Sequence, residues 1–94
     1  MKELDITNRN LKYQLNLGDI VEAKMHNNKT VRGEIISISA NAVPTYFEDT
    51  CKGSIEWRVF PEYQEITAPD YVFETYMKWM FERPDRYKIY KRKD

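Results

Sequence analysis

The sequence contains few of the residues that most often build metal and redox sites. Cys51 is the only cysteine and His26 is the only histidine. One cysteine cannot form an internal disulfide, and structural zinc sites need a set of cysteine and histidine ligands. We therefore expect no metal, no other cofactor and a reducing compartment.

The chain also lacks an excess of charge and a long apolar run. Fifteen basic residues balance fifteen acidic ones, so no global field draws the protein toward nucleic acid or an anionic membrane. No stretch approaches the roughly 20 apolar residues of a membrane span. The first ten residues have no apolar run typical of a signal peptide. These absences predict a cytoplasmic protein that does not act at a membrane.

The length of 94 residues predicts a single domain over 1–94. Two descriptions of its ends are open. The chain has an extended arm over 1–10 and a flexible basic tail over 87–94, or both terminal segments are ordered parts of the domain. Aromatic residues make up 14% of the chain, which is a high share for this length. Such residues either fill a small core or form contact surfaces.

Apolar and polar residues alternate along the first half of the chain. The alternation over Leu11–Leu17 and again over Val21–Met25 is typical of strands with one buried face. Asn27 and Asn28 predict a turn, and residues 30–39 form the next strand. An odd loop over Asn27–Lys29 would pair Met25 with Val31, Ala23 with Gly33 and Val21 with Ile35, which keeps apolar residues on one face.

The second half contains further strand signals and one helix signal. Ile36 and Ile38 depart from the phase of Ile35, which indicates either a bulge or a strand covered on both faces. Residues 55–59 alternate cleanly and end at Pro61, while 45–47, 63–66 and 87–92 are weaker strand candidates. A capping threonine, Pro69 and Asp70 predict a helix over about 69–83 that ends before Pro84.

These elements predict a β-rich α+β fold with one helix in the C-terminal half. Within it, the stretch from Leu17 through Gly18 and Asp19 to Ala23, followed by Val31–Ile38, resembles the first hairpin of SH3-like small β barrels such as the Tudor, KOW and Sm-like groups. The resemblance covers about 25 residues. It implies either a small SH3-like barrel or a strongly bent antiparallel sheet, and a binding fold more often than an enzyme.

The predicted helix is apolar over an unusually wide part of its surface. A small barrel covers only one side, so the rest needs the C-terminal segment, a second copy of the chain or another protein. The candidate protein-contact residues are Tyr76, Met77, Trp79 and Phe81, with Glu74 and Lys78 at the rim. The structural alternative is that these apolar residues belong to the core.

The C-terminal segment combines basic and aromatic residues, which suits the phosphates and bases of nucleic acid. The candidate nucleic-acid residues are Arg86, Tyr87, Lys88, Tyr90, Lys91 and Arg92. The structural alternative is a charged terminal strand. The acidic region over 44–74 could pair with this segment inside the molecule or face a basic partner.

No catalytic set stands out, since 25 residues separate His26 from Cys51 and a nucleophile needs an adjacent base. We expect a non-enzymatic binding module that acts through protein contacts, as a small regulatory or accessory protein with a protein partner or as a homodimer. Small accessory proteins of phages and mobile elements provide an analogy for this role, because they are also short and lack a catalytic set. The alternative function is nucleic-acid binding through the C-terminal segment.

Overall fold

The described part of the chain forms a six-stranded antiparallel sheet with one short α-helix. The computed structural model describes residues 2–8, 11, 14–39, 53–64 and 70–92. The strands are β1 (Lys2–Leu4), β2 (Ile20–Lys24), β3 (Thr30–Ser39), β4 (Ser54–Val59), β5 (Val72–Tyr76) and β6 (Tyr87–Lys91). The helix α1 covers Met77–Glu82, and a one-turn 3-10 helix covers Pro61–Tyr63.

The sheet is bent, and within the described residues it does not close. Its order is β1-β6-β2-β3-β4-β5, and all neighbouring strands are antiparallel. The β-rich α+β class is therefore confirmed. Side chains of one face, which we call the inner face, form the core around Val21, Ile35, Trp57 and Ile89. The opposite, outer face carries mostly charged residues.

The hairpin between β2 and β3 has the odd loop that apolar matching predicts. Lys24 pairs with Thr30, and the amide of Met25 donates to the carbonyl of Lys29 at 2.8 Å. Asn28 adopts a left-handed φ of 65°, as three-residue hairpin loops require. The predicted pairs were wrong by two positions, because Ala23 faces Val31. A shift of two keeps every side chain on its expected face.

A β-bulge interrupts β3 where the sequence alternation changes phase. The pairing with β4 passes from Ile35 opposite Trp57 directly to Ser37 opposite Glu56, so Ile36 is the extra residue. The bulge returns Ile38 to the inner face, where it packs against the core. Of the two alternatives from the sequence, the bulge is therefore the correct one, and it bends the sheet here.

The predicted helix over 69–83 was wrong in its first half. Residues 72–76 form the edge strand β5, and only Met77–Glu82 are helical. β-Branched and aromatic side chains dominate this strand and favour extended structure. Phe73 and Thr75 pair with Trp57 and Ile55. Burial against a tryptophan outweighs the helical periodicity. The helix-start residues 67–69 lie outside the described residues.

The expected extended segment over Leu11–Leu17 is also wrong in its described part. Successive turns link Leu11 and Gln14 by backbone hydrogen bonds. Leu11 and Leu15 are buried, whereas Leu17 is exposed. The leucines that alternate in the sequence therefore belong to successive turns, which place Leu11 and Leu15 in the core and leave Leu17 exposed. Tyr13 lies outside the described residues.

Asp19 joins this turn region to β6. Its carboxylate accepts hydrogen bonds from the amide of Asn16 at 2.9 Å and the amide of Arg92 at 3.3 Å. Lys91 pairs with the same carboxylate at 3.3 Å and also donates to the carbonyl of Gln14. Residues 87–91, at the C-terminal end of the chain, thus lie inside the sheet between β1 and β2.

Several sequence predictions lie outside the described residues, namely the short strand over 45–47, the turn that begins at Cys51 and the acidic residues Glu48, Asp49 and Glu65. Tyr63, the first residue of the weak strand candidate over 63–66, lies in the 3-10 helix that follows Pro61. None of the helices in the described residues is long and apolar enough to cross a membrane.

A substitution at Gly33 can test how closely β3 and β4 approach each other. A Cβ added there would lie 2.7 Å from Cε3 of Trp57 and closer still to the carbonyl oxygen of Arg58. We expect Gly33→Ala to lower the free energy of unfolding by about 3 kcal/mol, because the backbone of β4 has to move. Urea unfolding measures the loss. Ser39→Ala, at an exposed position of the same strand, is the control, and equal stability of the two variants would contradict the close approach.

A substitution at Asp19 can test how much the junction between the turn region and β6 contributes to stability. Its side chain is 5% exposed and that of Lys91 is 19% exposed. We expect Asp19→Ala to cost about 3 kcal/mol of unfolding free energy, because it leaves the Lys91 ammonium partly buried without its carboxylate. Glu34→Ala, which removes the exposed pair with Arg92, should cost less than about 1 kcal/mol. Similar losses in both variants would refute the structural role of Asp19.

Candidate functional site

A pocket of about 470 Å³ opens beside α1 on the inner face. Residues of β2, β4 and β5 meet there with the end of α1 and the turn before β6. Its volume is in the range of small-molecule and peptide side-chain sites. The lining residues are Ala23, Lys24, Met25, His26, Trp57, Phe73, Glu74, Thr75, Trp79, Arg83, Arg86 and Tyr87.

Trp57 is the best-fixed residue of the pocket. It is 1% exposed, and its indole N–H donates to the hydroxyl of Thr75 at 3.0 Å. The ring of Phe73 stacks on it with the centroids 4.8 Å apart. Both partners come from β5 at alternating positions, which places them on the same face as Trp57. The indole is therefore held in one orientation by the sheet itself.

Trp79 forms an exposed part of the pocket wall. It is 44% exposed, and its ring meets that of Tyr76 edge to face at 4.5 Å. The helix that carries it is anchored by Met77 and Met80, which are both in the core. Arg83 follows Trp79 by one helical turn, and its amide donates to the Trp79 carbonyl at 2.9 Å. Trp79 and Arg83 thus share one side of the helix.

The turn after α1 brings two arginines to the pocket. The amide of Arg86 donates to the carbonyl of Arg83 at 3.0 Å, and both residues line the cavity. The Arg86 guanidinium donates to the carbonyl of Lys24 at 3.4 Å. Within the described residues, no carboxylate forms an ion pair with either guanidinium. Glu82 and Asp85 flank the arginines in sequence but do not line the pocket.

The other two charged lining residues contribute less to the electrostatics of the cavity. Strand alternation places the side chains of Lys24 and Glu74 toward the outer face, opposite Thr30 and Glu56 respectively. Glu74 also forms a hydrogen bond with Tyr76, and the charge of Glu74 together with that bond raises the pKa of the Tyr76 phenol. Their charges are opposite and offset one another. The net field of the lining therefore comes from Arg83 and Arg86.

Three basic side chains elsewhere on or beside the sheet are paired with acids. Arg32 contacts Glu22 at 2.7 Å, Lys91 contacts Asp19 at 3.3 Å and Arg92 contacts Glu34 at 3.0 Å. Glu22 also raises the pKa of the Arg32 guanidinium, chiefly through its hydrogen bond. The acids that neutralise the C-terminal segment are thus Asp19 and Glu34.

The predicted protein-contact residues lie in different environments. Trp79 is exposed and Glu74 is exposed on the outer side of β5, whereas Tyr76, Lys78 and Phe81 are half-buried. Met77 is 3% exposed and belongs to the core, so it supports the helix from beneath. Only Trp79 and Glu74 of the predicted set line the pocket.

The predicted nucleic-acid residues do not form one surface. Tyr87 and Lys91 lie on the inner side of β6 with Ile89, while alternation places Lys88, Tyr90 and Arg92 on the outer side. The guanidinium of Arg32 lies over the Tyr90 ring at 5.6 Å from its centroid. Arg86 and Tyr87 are the members that line the pocket.

Sequence reasoning missed Trp57, Phe73, Met25 and Arg83, among others, as pocket residues. Trp57 was assigned correctly to a strand, but an alternating pattern does not show which part of a face remains uncovered. The spacing of four between Trp79 and Arg83 was the available signal, since it pairs an aromatic ring with a cation on one helix face.

The described residues contain no group of three or more histidine, cysteine and acidic side chains that could hold a metal ion. His26 lies exposed at the pocket rim, and Cys51 is outside the described residues. Comparison of the chain with protein-family models, curated proteins and solved structures finds no match.

The two tryptophans provide a direct test of the pocket electrostatics, because Trp57 is buried and Trp79 is exposed. We expect iodide to quench the fluorescence more strongly than caesium, since two arginines attract the anion. The difference should shrink with added sodium chloride, as the Debye length falls to about 10 Å at 0.1 M. Stern–Volmer plots measure it. Trp79→Phe should remove most of the iodide effect, and stronger quenching by caesium would contradict a positive pocket.

Proposed function

We propose that the protein is a non-enzymatic binding module that receives a segment of a protein partner in the pocket beside α1. The observation that carries this proposal is an open cavity of about 470 Å³ whose floor is a buried tryptophan and whose wall is an exposed one. Concave apolar sites with a few polar groups at the edge are the usual form of binding sites. We expect its wider role to be that of a small regulatory or accessory protein.

Two features support binding rather than catalysis. The pocket is lined by aromatic side chains, and aromatic residues with arginine are the types enriched at protein contacts. The first hairpin also resembles SH3-like barrels, whose fold serves binding more often than chemistry. We propose that the chain is related to SH3-like small β barrels, because Gly18, Asp19 and Gly33 match the first hairpin of those barrels.

The charge distribution favours a protein partner over nucleic acid. A phosphate backbone needs a continuous row of available cations. Here Arg32, Lys91 and Arg92 are engaged by carboxylates on the sheet. Arg58 and Lys88 lie exposed on the outer face, so they do not extend the pair of arginines at the pocket into a row. That arrangement suits one anchored segment better than an extended strand.

Nucleic-acid binding remains the second candidate function, because Arg86 and Tyr87 line the same pocket as Trp79 and Arg83. A base could stack on an aromatic ring while an arginine contacts phosphate. Retention on a single-stranded oligonucleotide column at low salt, lost as salt is raised, would favour this alternative.

A pull-down from host lysate tests the proposed function. The tagged wild type is compared with Trp79→Ala and with Arg58→Ala, each with and without nuclease. Trp79 lines the pocket, whereas Arg58 is exposed on the outer face of β4. We expect a captured protein that resists nuclease and is lost with Trp79→Ala, because truncation of an aromatic anchor typically costs 2 kcal/mol or more, roughly thirtyfold in affinity.

Circular dichroism shows whether Trp79→Ala remains folded. Capture that depends on nucleic acid would replace the proposal with the alternative function. Capture that is equal for both variants, or lost only with Arg58→Ala, would place the contact elsewhere on the molecule and reject the pocket as the binding site.

A further inference from the structure

We propose that the partner segment is acidic and carries one aromatic or large aliphatic anchor residue. The anchor occupies the cavity between Phe73 and Trp79, above the buried Trp57, and carboxylates beside it contact Arg83 and Arg86. This inference rests on the proposed function and specifies the chemistry of its ligand.

The first step is that the anchor site is apolar and preformed. Trp57 is fixed by its hydrogen bond to Thr75 and by the stacked ring of Phe73. The indole N–H is satisfied by Thr75 and the indole is 1% exposed, so the accessible apolar surface of the floor is the half-buried ring of Phe73 that the indole supports. A planar or branched apolar side chain fits such a floor, and little ordering of Trp57 is required on binding.

The second step is that the cations at this site are not engaged by carboxylates. The described residues place no carboxylate in an ion pair with Arg83 or Arg86, whereas Arg32 and Arg92 have acidic partners and Arg58 lies exposed on the outer face. Arg83 shares its helix side with Trp79, and Arg86 is tied to the main chain of Lys24. Guanidinium groups bind carboxylates through paired hydrogen bonds.

The charge of the pocket lining disfavours a cationic ligand. Four aromatic lining residues, Trp57, Phe73, Trp79 and Tyr87, could in principle surround an ammonium group. Glu74 is the acid of the lining, but alternation places its side chain on the outer face beside Glu56. Among the described lining residues, a cation would thus face two arginines without an inward-facing carboxylate to balance them, so charge complementarity selects an acidic segment.

Selection from a displayed library of random peptides tests this inference on the full chain. The immobilised wild type is compared with the double variant Arg83→Gln plus Arg86→Gln. The matched control is Lys88→Gln plus Arg58→Gln, which removes the same charge from exposed positions of the outer face. Selected peptides are then synthesised, and their affinity is measured by Trp79 fluorescence and calorimetry.

We expect wild-type selections to be enriched in aspartate and glutamate on either side of an aromatic or aliphatic residue. The arginine double variant should bind these peptides at least about tenfold more weakly, since charge-assisted hydrogen bonds are lost. The outer-face control should bind them within about twofold, which is the expected effect of distant, screened charges. Replacement of the anchor by glycine in the peptide should abolish binding.

Three results would overturn the inference. Selected peptides that are neutral or basic yet depend on Trp79 would refute the acidic ligand and leave the proposed function intact. Equal weakening in both double variants would show that net charge, not the two arginines, is recognised. Failure to select any peptide that depends on Trp79, together with tight binding of oligothymidylate, would refute both this inference and the proposed protein-binding function.

Discussion

The contact between Trp57 and the backbone at Gly33 is the constraint on which the architecture depends. The indole lies so close to β3 that a methyl group at Gly33 has no space. This close approach, together with the bulge at Ile36, draws β3 and β4 toward each other where the sheet bends. The same indole is the floor of the pocket. The same side chain therefore packs between the two strands where they approach most closely and forms the base of the site beside them.

Ion pairs neutralise several basic residues of the sheet, whereas the pocket beside α1 retains positive charge. Asp19 receives two main-chain amides and the Lys91 ammonium, and thereby fastens the turn region to β6. Glu22 and Glu34 engage Arg32 and Arg92 across the strands of the outer face. A chain with zero net charge can thus present a local positive field, because within the described residues Arg83 and Arg86 form no ion pair and Glu82 and Asp85, which flank them in sequence, do not line the pocket.

Sequence reasoning predicted the parts of the fold that follow from two-residue periodicity. The odd loop and the bulge at Ile36 were accessible because each determines which face a side chain occupies. The exact register was not, since a shift of two preserves every face and the choice depends on the left-handed conformation of Asn28. The pocket was inaccessible for a related reason. Periodicity assigns Trp57 to a face but does not show whether another element covers it.

The error at the helix is the most instructive, because the signal for the correct answer was present. Residues 69–83 appeared too apolar for one surface helix, and this excess was attributed to a cover supplied by the C-terminal segment, a second copy of the chain or another protein, or to residues of the core. Part of it arises because residues 72–76 are a strand whose inward side chains pack on Trp57. The apolar share then divides between a sheet edge and a short helix, and Trp79 is left as its exposed remainder.

The brevity of α1 also determines how the site works. Six residues are too few for a helix to be stable without tertiary contacts, so its position depends on Met77 and Met80 in the core. Trp79 and Arg83 are carried on this element, whereas Trp57 and Phe73 belong to the sheet. The floor of the pocket is therefore rigid and its wall is held by a few contacts. Short elements with few contacts lie at the low-stability end of a fold, where binding surfaces are often found. A ligand that contacts both Phe73 on the sheet and Arg83 after the helix would connect the two elements and hold the helix in one position against the sheet.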